Sequence, residues 1–332
     1  MKILKKIILT LLFPALMFLV MLLITANNPQ CYVNGKLIFI GSGLFTEVAV
    51  NSCLSICVAL AIWLQFKNGR FDFSGGASMV LAAIGGGVIG KEAGSPVVAL
   101  AVAVIIALIL NVITSLVYVF GRVPIIICTI GMTLLYESLT YILFGGNGIM
   151  GFFYEAKVSV FGRIPGIFIP AVIAIALFVI YTYFTTAGRR GKILANNQSA
   201  GVNIGINEKK DVIISYVFSG LILGFSAIIY VSQNDVLPQS GLSTSSILFS
   251  YIVPVFMGMF IGLASCDVIG IAMAAIGMEI MNYGLSCMNL SAGGWQQIIF
   301  GAFVLGFYTF SSQSERITAY LEKKKRQKLQ ES

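Results

Sequence analysis

The chain has 332 residues, of which 58% are apolar and only 10% are Asp, Glu, Lys or Arg; its mean hydropathy is +0.94. A soluble domain carries about 25% charged residues, so the composition points to an all-α, polytopic membrane protein. At roughly 20 residues per span, the length accommodates about ten helices with short loops and leaves no room for a folded ATPase or kinase domain. The chain has no histidine, which excludes histidine-based catalysis and histidine–metal sites. The net charge of +8 is read as the positive-inside bias of membrane proteins rather than as a nucleic-acid footprint.

The apolar runs, in chain order, are Ile7–Ala26, Phe45–Phe66, Ser74–Gly90, Pro96–Phe120, Val123–Phe144, Gly166–Ala187, Val212–Gln233, Ile247–Leu263, Val268–Leu285 and Gly293–Phe310. They are continuous rather than alternating, and lipid tolerates only helices or closed barrels, so helices are expected. The first run follows Lys2, Lys5 and Lys6. It is too long for a signal peptide and lacks a small-residue cleavage site, so it reads as an uncleaved anchor span. The third and eighth runs are short and rich in Gly and Ser, and read as broken or re-entrant segments. With ten crossings and both termini cytoplasmic, all of the 21 Lys and Arg residues except Lys36, Lys91, Lys157 and Arg163 fall inside. The expected organisation is one transmembrane domain over 1–315 followed by a basic cytoplasmic tail over 316–332. The longest inside loop, 188–210, is polar and basic; the longest outside loop is Gly145–Pro165. Each is a docking face or a plain connector. Spans two to five and seven to ten form a candidate inverted repeat, with Ser74–Ser78 and Ser240–Thr244 as its weakly matching segments.

Several motifs resemble chemistry that the context denies. Gly85, Gly87 and Gly90 fit a dinucleotide fingerprint, and Gly85, Gly90 and Lys91 nearly fit a P-loop, but Glu92 stands where Ser or Thr must hold magnesium. Both lie at the outer end of an apolar span. Close helix approach explains these glycines better, as it does the four-residue spacings Gly86/Gly90, Gly220/Gly224 and Gly258/Gly262. Glu137 and Glu279 fall inside predicted spans, where an acid either lines a water-filled path or makes an interhelical contact. Asn111, Asn282, Gln65 and Thr133 read as interhelical glue. Tyr136, Tyr141, Tyr154, Tyr251, Tyr283 and Trp295 are candidates for sugar stacking or for an interfacial belt. The six cysteines show no zinc spacing. Cys31 and Cys287, both expected outside, are disulfide candidates whose pairing the sequence leaves open. No cofactor or metal is implied.

Four segments carry a family resemblance. GRFDFSGGAS (Gly69–Ser78) resembles the glycine–Asp–Ser segment of ribose-type permeases of ATP-binding-cassette importers, with Asp72, Ser74 and Gly76 matching. GRVPIIICTIGM (Gly121–Met132) resembles the opening of that family's fifth span. GRRGKILANNQSAGVNIGI (Gly188–Ile206) resembles its cytoplasmic coupling loop, with Gly188, Arg189, Arg190, Asn197, Ala200, Gly205 and Ile206 matching. WQQIIFGAFVLGF (Trp295–Phe307) resembles the opening of the last span. The ordered set covers most of 45–312. Arg70 stands where the family usually has a second glycine, and Ser199 and Val202 replace an acidic and a basic residue of the coupling loop.

The resemblance implies a permease that pairs with a second copy or homologue. Cytoplasmic ATP-binding subunits drive it, and an external solute-binding protein delivers a monosaccharide. Asp72, Ser74, Glu137 and Glu279 are its path candidates. The residues alone leave two other classes open: a stand-alone secondary transporter or channel coupled to an ion gradient, and a membrane enzyme. The enzyme would need a clustered nucleophile or metal set, and the sequence offers none.

Overall fold

A computed structural model describes residues 2–41, 43–196, 198–262, 265–290 and scattered positions from 298 to 309. Most of the tenth predicted run, Gly293–Phe310, with most of Trp295–Phe307, and the whole basic tail lie outside the described residues.

Helix α1 (Lys2–Ala26) leads into a two-stranded hairpin, β1 (Tyr32–Val33) and β2 (Lys36–Leu37). Tyr32 faces Leu37 and Val33 faces Lys36. Asn34 and Gly35 between them both take positive φ, 51° and 74°, the pair of left-handed residues a two-residue turn demands. Helices α2 (Gly43–Lys67) and α3 (Ser74–Ala93) follow, then α4 (Pro96–Gly121), with proline at its first position, and α5 (Ile125–Ile142). Helix α6 (Phe168–Val179) ends in a π-helical turn, Ile180–Phe184. Two short helices, α7 (Thr186–Asn196) and α8 (Gln198–Asn203), occupy the long basic loop. Then come α9 (Glu208–Val231), α10 (Ser243–Ser250), α11 (Ile252–Gly262) and α12 (Asp267–Cys287).

Six helical segments are long and apolar enough to cross a membrane, with α10 and α11 counted as one, and Thr10–Ala26 and Phe168–Phe184 are shorter apolar helices. The protein is therefore an all-α, multi-pass membrane protein. The core is made by α2, α3, α4, α6 and α9, while Leu12, Leu23, Ile105, Phe120 and Ile142 remain exposed. Apolar side chains point away from the bundle, as they do when the surrounding solvent is lipid.

The eighth predicted run is broken, as expected: α10 and α11 part at Tyr251. The third is not. Helix α3 is continuous over 20 residues, which corrects the expectation of a broken segment. Its glycines interrupt nothing; they let other helices in. A Cβ at Gly86 would stand 2.8 Å from the Ala99 carbonyl oxygen, and one at Gly90 would collide with Ala99 outright. The other spaced pairs serve the same end: Gly220 and Gly224 admit α4 at Ala107 and Val104, and Gly258 admits α12 at Ile271. The nucleotide-like glycines thus lie in helix–helix seams.

The inner end is defined here as the end where α7 lies, and the outer end as the opposite one. At the outer end, the segment between α5 and α6 is stapled to the segment between α9 and α10. Ile149 and Val236 exchange backbone hydrogen bonds of 2.8 and 2.9 Å, and the Gly151 N–H donates to Asp235 Oδ1 at 2.7 Å. Lys91 and Glu155 pair there at 2.9 Å. Cys31 and Cys287 meet at the same end, but both thiols are free: Cys31 Sγ donates to the Cys287 carbonyl oxygen at 3.5 Å. Burial raises the Cys31 thiol above its ordinary range, holding it in the unreactive protonated form.

Candidate translocation path and coupling surface

The inner end is organised by the short connection between α2 and α3. Lys67 Nζ reaches Asp267 Oδ2 on α12 at 2.7 Å. Asn68 Nδ2 donates to the Tyr181 hydroxyl in the π-helical turn at 2.9 Å and to the Leu64 carbonyl at 2.8 Å. Arg70 Nη2 donates to Ser215 Oγ on α9 at 2.6 Å, and its Nε to Gln65 Oε1 at 3.3 Å. Asp72 Oδ1 accepts from the Ser74 backbone N–H at 2.8 Å and from Ser74 Oγ at 2.7 Å. Its carboxylate therefore lies beside the first turn of α3, where negative charge is favoured. Desolvation pushes the Asp72 carboxyl upward, opposed by the Ser74 hydrogen bonds and the Arg70 charge.

Beside this connection lies a constricted cleft lined by Gln65, Phe66, Asp72, Gly75, Ser219, Leu223 and Leu248, with open space of only about 10 Å³. That is room for about one water. Of the four path candidates, Asp72 lines the cleft and Ser74 is bonded to it. Glu137 and Glu279 lie elsewhere. Glu137, 1% exposed, accepts from the Leu242 N–H at 2.8 Å, the Thr244 N–H at 2.8 Å and Thr244 Oγ1 at 2.7 Å. A carboxylate on α5 thus caps the start of α10. The same Thr244 meets Gly76, where a Cβ would collide with its carbonyl oxygen, so the two segments matched as a possible repeat touch each other. Glu279 ties α12 to α2 through Ser55 Oγ and accepts from Asn282 Nδ2 at 3.1 Å.

The other polar residues divide. Asn111 bridges α4 to α3 through Ser78 Oγ at 2.9 Å. Thr133, expected to join helices, instead donates to Thr129 on its own helix at 2.7 Å; a threonine hydroxyl reaches the carbonyl one turn back without needing a neighbour. Tyr136 is neither belt nor stacking platform: it is buried, and its hydroxyl donates to the Leu110 carbonyl at 2.6 Å.

The residues matched to the family's coupling loop sit on and around α7 and α8. Arg189 and Arg190 are exposed. Gly188 lies in the first turn of α7, its N–H donating to Thr185 Oγ1 at 3.0 Å, and a Cβ there would strike the Tyr181 carbonyl oxygen. Asn197 lies outside the described residues, and Ala200 belongs to α8. Gly205 takes φ +89° beyond α8, where only glycine is unstrained, and Ile206 is buried, its N–H donating to the Gly201 carbonyl at 3.2 Å. Gly191 was not singled out from sequence. A Cβ at that position would overlap Asn68 Oδ1, so the α7 backbone bears directly on the α2–α3 connection. The partners Arg70–Ser215 and Asn68–Tyr181 were also missed, because each joins residues more than 100 positions apart and polarity alone does not announce its partner. Among the described residues no cluster of His, Cys, Asp or Glu is arranged to hold a metal.

An all-α membrane bundle with a narrow, largely apolar cleft beside Asp72 and a helical inner loop has the architecture of a membrane permease. Residues 44–308 match the family described as branched-chain amino acid transport system / permease component, and the chain belongs to that family. It is 26% identical over 272 residues to the ribose import permease protein RbsC of Escherichia coli (strain K12), covering 79% of this chain and 82% of that protein. It is 24% identical over 296 residues to RbsC of Bacillus subtilis (strain 168), covering 87% and 88%. The D-allose transport system permease protein AlsC of Escherichia coli (strain K12) is 21% identical over 200 residues, covering 59% and 61%. No solved structure matches.

Proposed function

We propose that this chain is the membrane-spanning permease subunit of an ATP-binding-cassette importer, carrying a monosaccharide such as ribose into the cytoplasm. The reading is supported chiefly by one arrangement: α7 presents Arg189 and Arg190 to solvent while its buried face bears on the π-helical turn at Gly188 and, at Gly191, on the α2–α3 connection that borders the cleft. A push on this surface has a short route to the path. The relatives named for ribose and allose import support a sugar as the solute.

In this reading the chain crosses the cytoplasmic (inner) membrane ten times with both termini inside, which puts 188–210 in the cytoplasm and the 145–165 segment outside. A separate ATP-binding subunit docks on Gly188, Arg189, Arg190, Asn197, Ala200, Gly205 and Ile206. Closure of the ATPase pair displaces α7 and α8, and the spans exchange inward and outward openings. A second permease copy or homologue completes the transmembrane unit, and an external solute-binding protein supplies selectivity. Asp72 and Ser74 border the path; Glu137 and Glu279 hold the helices around it.

Purification of the tagged chain from its native membrane in mild detergent, with mass spectrometry of what accompanies it, tests the reading. A co-purifying ATPase bearing a P-loop supports it. A stable oligomer of this chain alone, together with uptake in liposomes driven by an ion gradient, refutes it in favour of a secondary transporter.

A further inference from the structure

The connection from Lys67 to Ser74 holds more of the bundle together than its length suggests. Its polar side chains reach α12 through Asp267, the π-helical turn through Tyr181, and α9 through Ser215. Its aromatic rings continue the set. Phe71 packs edge-on against Phe66 at the end of α2, 4.8 Å between centroids, and tilted against Phe73 at 4.7 Å. Phe73 then meets Phe249 on α10 at 5.8 Å, and Phe66 meets Phe256 on α11 at 5.7 Å. One short segment, with the end of α2, therefore joins elements spread from Tyr181 to Asp267 beside the cleft.

Arg70 is the member whose chemistry is unusual. It is 6% exposed, yet its two hydrogen-bond partners, Gln65 and Ser215, are neutral. A buried cation held by neutral acceptors lacks the compensation a bonded carboxylate gives. Two carboxylates, Asp72 and Asp211, are close enough to feel its charge without pairing with it. A shift of the guanidinium from Gln65 and Ser215 toward either carboxylate would exchange neutral partners for an ion pair, and an element with two discrete arrangements is what a switch needs.

We propose that the 67–74 segment is the inner gate of the path, with Arg70 as its latch and Asn68 as the point where α7 acts on it. The proposal rests on the permease reading and names the part of it that moves. Because Gly191 has no side chain, the α7 backbone abuts Asn68, and α7 cannot shift toward the bundle while Asn68 stays in place. Displacing Asn68 breaks its bond to Tyr181, carries Arg70 away from Ser215, and uncovers Asp72 and the cleft. Arg70 is a positioning residue: it holds the gate and need not touch the solute.

Ser219 lines the cleft and is buried, so a cysteine there reports opening without knowledge of the solute. Ser219→Cys in the otherwise native full-length chain, in inside-out membrane vesicles, is treated with a membrane-impermeant maleimide. Modification at each cysteine is followed by peptide mass spectrometry. Adding Arg70→Ala is expected to speed labelling at 219 by about tenfold, the weight of one charge-assisted hydrogen bond. Arg70→Lys, which keeps a cationic donor, is expected to restore slow labelling, whereas a merely structural contribution of the guanidinium stem would not be rescued in this way. Labelling of right-side-out vesicles should stay slow throughout. Unchanged labelling at 219 in Arg70→Ala overturns the proposal even if an ATPase co-purifies. If Cys57, fully buried in the parent, also becomes labelled, the variant has unfolded; Asn68→Ala then decides, with faster labelling at 219 alone supporting the gate and no change refuting it.

Discussion

Glu137→Gln isolates the carboxylate that α5 lends to the start of α10. In the native protein one carboxylate oxygen accepts from the Thr244 N–H and hydroxyl, and the other accepts from the Leu242 N–H. Glutamine has one acceptor oxygen. Turned toward Thr244 it keeps two contacts and points its NH2 group at the Leu242 N–H, donor against donor. The loss is about 1.5–3 kcal/mol, the worth of one hydrogen bond to a charged group plus a buried N–H left bare. Glu137→Ala strips the Leu242 and Thr244 backbone groups together, each at about 1–3 kcal/mol. Thermal unfolding of the detergent-purified protein, followed by size-exclusion of the surviving fraction, should therefore rank wild type above Gln and Gln above Ala. Exposed Glu47 is the control: Glu47→Gln should move the midpoint negligibly. If both Glu137 variants unfold at the wild-type midpoint, the carboxylate does not hold α10, and the reasoning fails.

Three further outcomes are expected. Arg189→Glu, or Gly205→Glu, should abolish ATP-coupled uptake while the protein still inserts and purifies; Gly205→Ala separates the backbone strain at φ +89° from the charge, and full uptake in Arg189→Glu rejects the coupling surface. A double-mutant cycle with Lys67→Met and Asp267→Asn should give a coupling energy of about 1 kcal/mol or more by thermal unfolding, since the Lys67 side chain is only 6% exposed; a coupling near zero removes the pair from the inner-end network. Gly90→Val should drive α3 from α4 and cost about 3 kcal/mol or more, read as loss of the monodisperse peak, whereas Gly94→Asn, at a left-handed position with open space around it, should be tolerated.

What the sequence discloses here follows from what each interaction depends on. The helices are legible because a span needs only its own residues to be apolar, and some starts are local, as Pro96 at a first turn is; the hairpin at Asn34-Gly35, equally local, was not singled out. The continuity of α3 was not legible. Its glycines read as breaks because local propensity penalises them, while the penalty is overridden by packing against Ala99 and Ala103, which only a tertiary view supplies. Asp72 and Ser74 were found through resemblance; the hydrogen bonds between them were not legible. Glu137 was legible as a costly buried acid, but not its destination, a helix terminus about one hundred residues further on. Arg70 was noticed only as a departure from a glycine. Its meaning depends on Ser215 and Gln65, and Gly191 carries no side chain that could draw attention to it.

The seams between α3, α4 and α9 have a mechanical consequence. At Gly86, Gly90, Gly220 and Gly224 the backbones approach so closely that a single added carbon has nowhere to go. Such surfaces do not slide past one another, because a shift of an ångström brings a neighbouring Cβ onto the glycine. These three helices are therefore built to move as one block, and in the importer reading the stroke is absorbed at its borders: the six-residue connection before α3, the Arg122–Pro124 corner after α4, and the Gly205 turn before α9. Those are the joints at which stiffening the chain, with proline or a cross-link, should slow transport without loosening the protein.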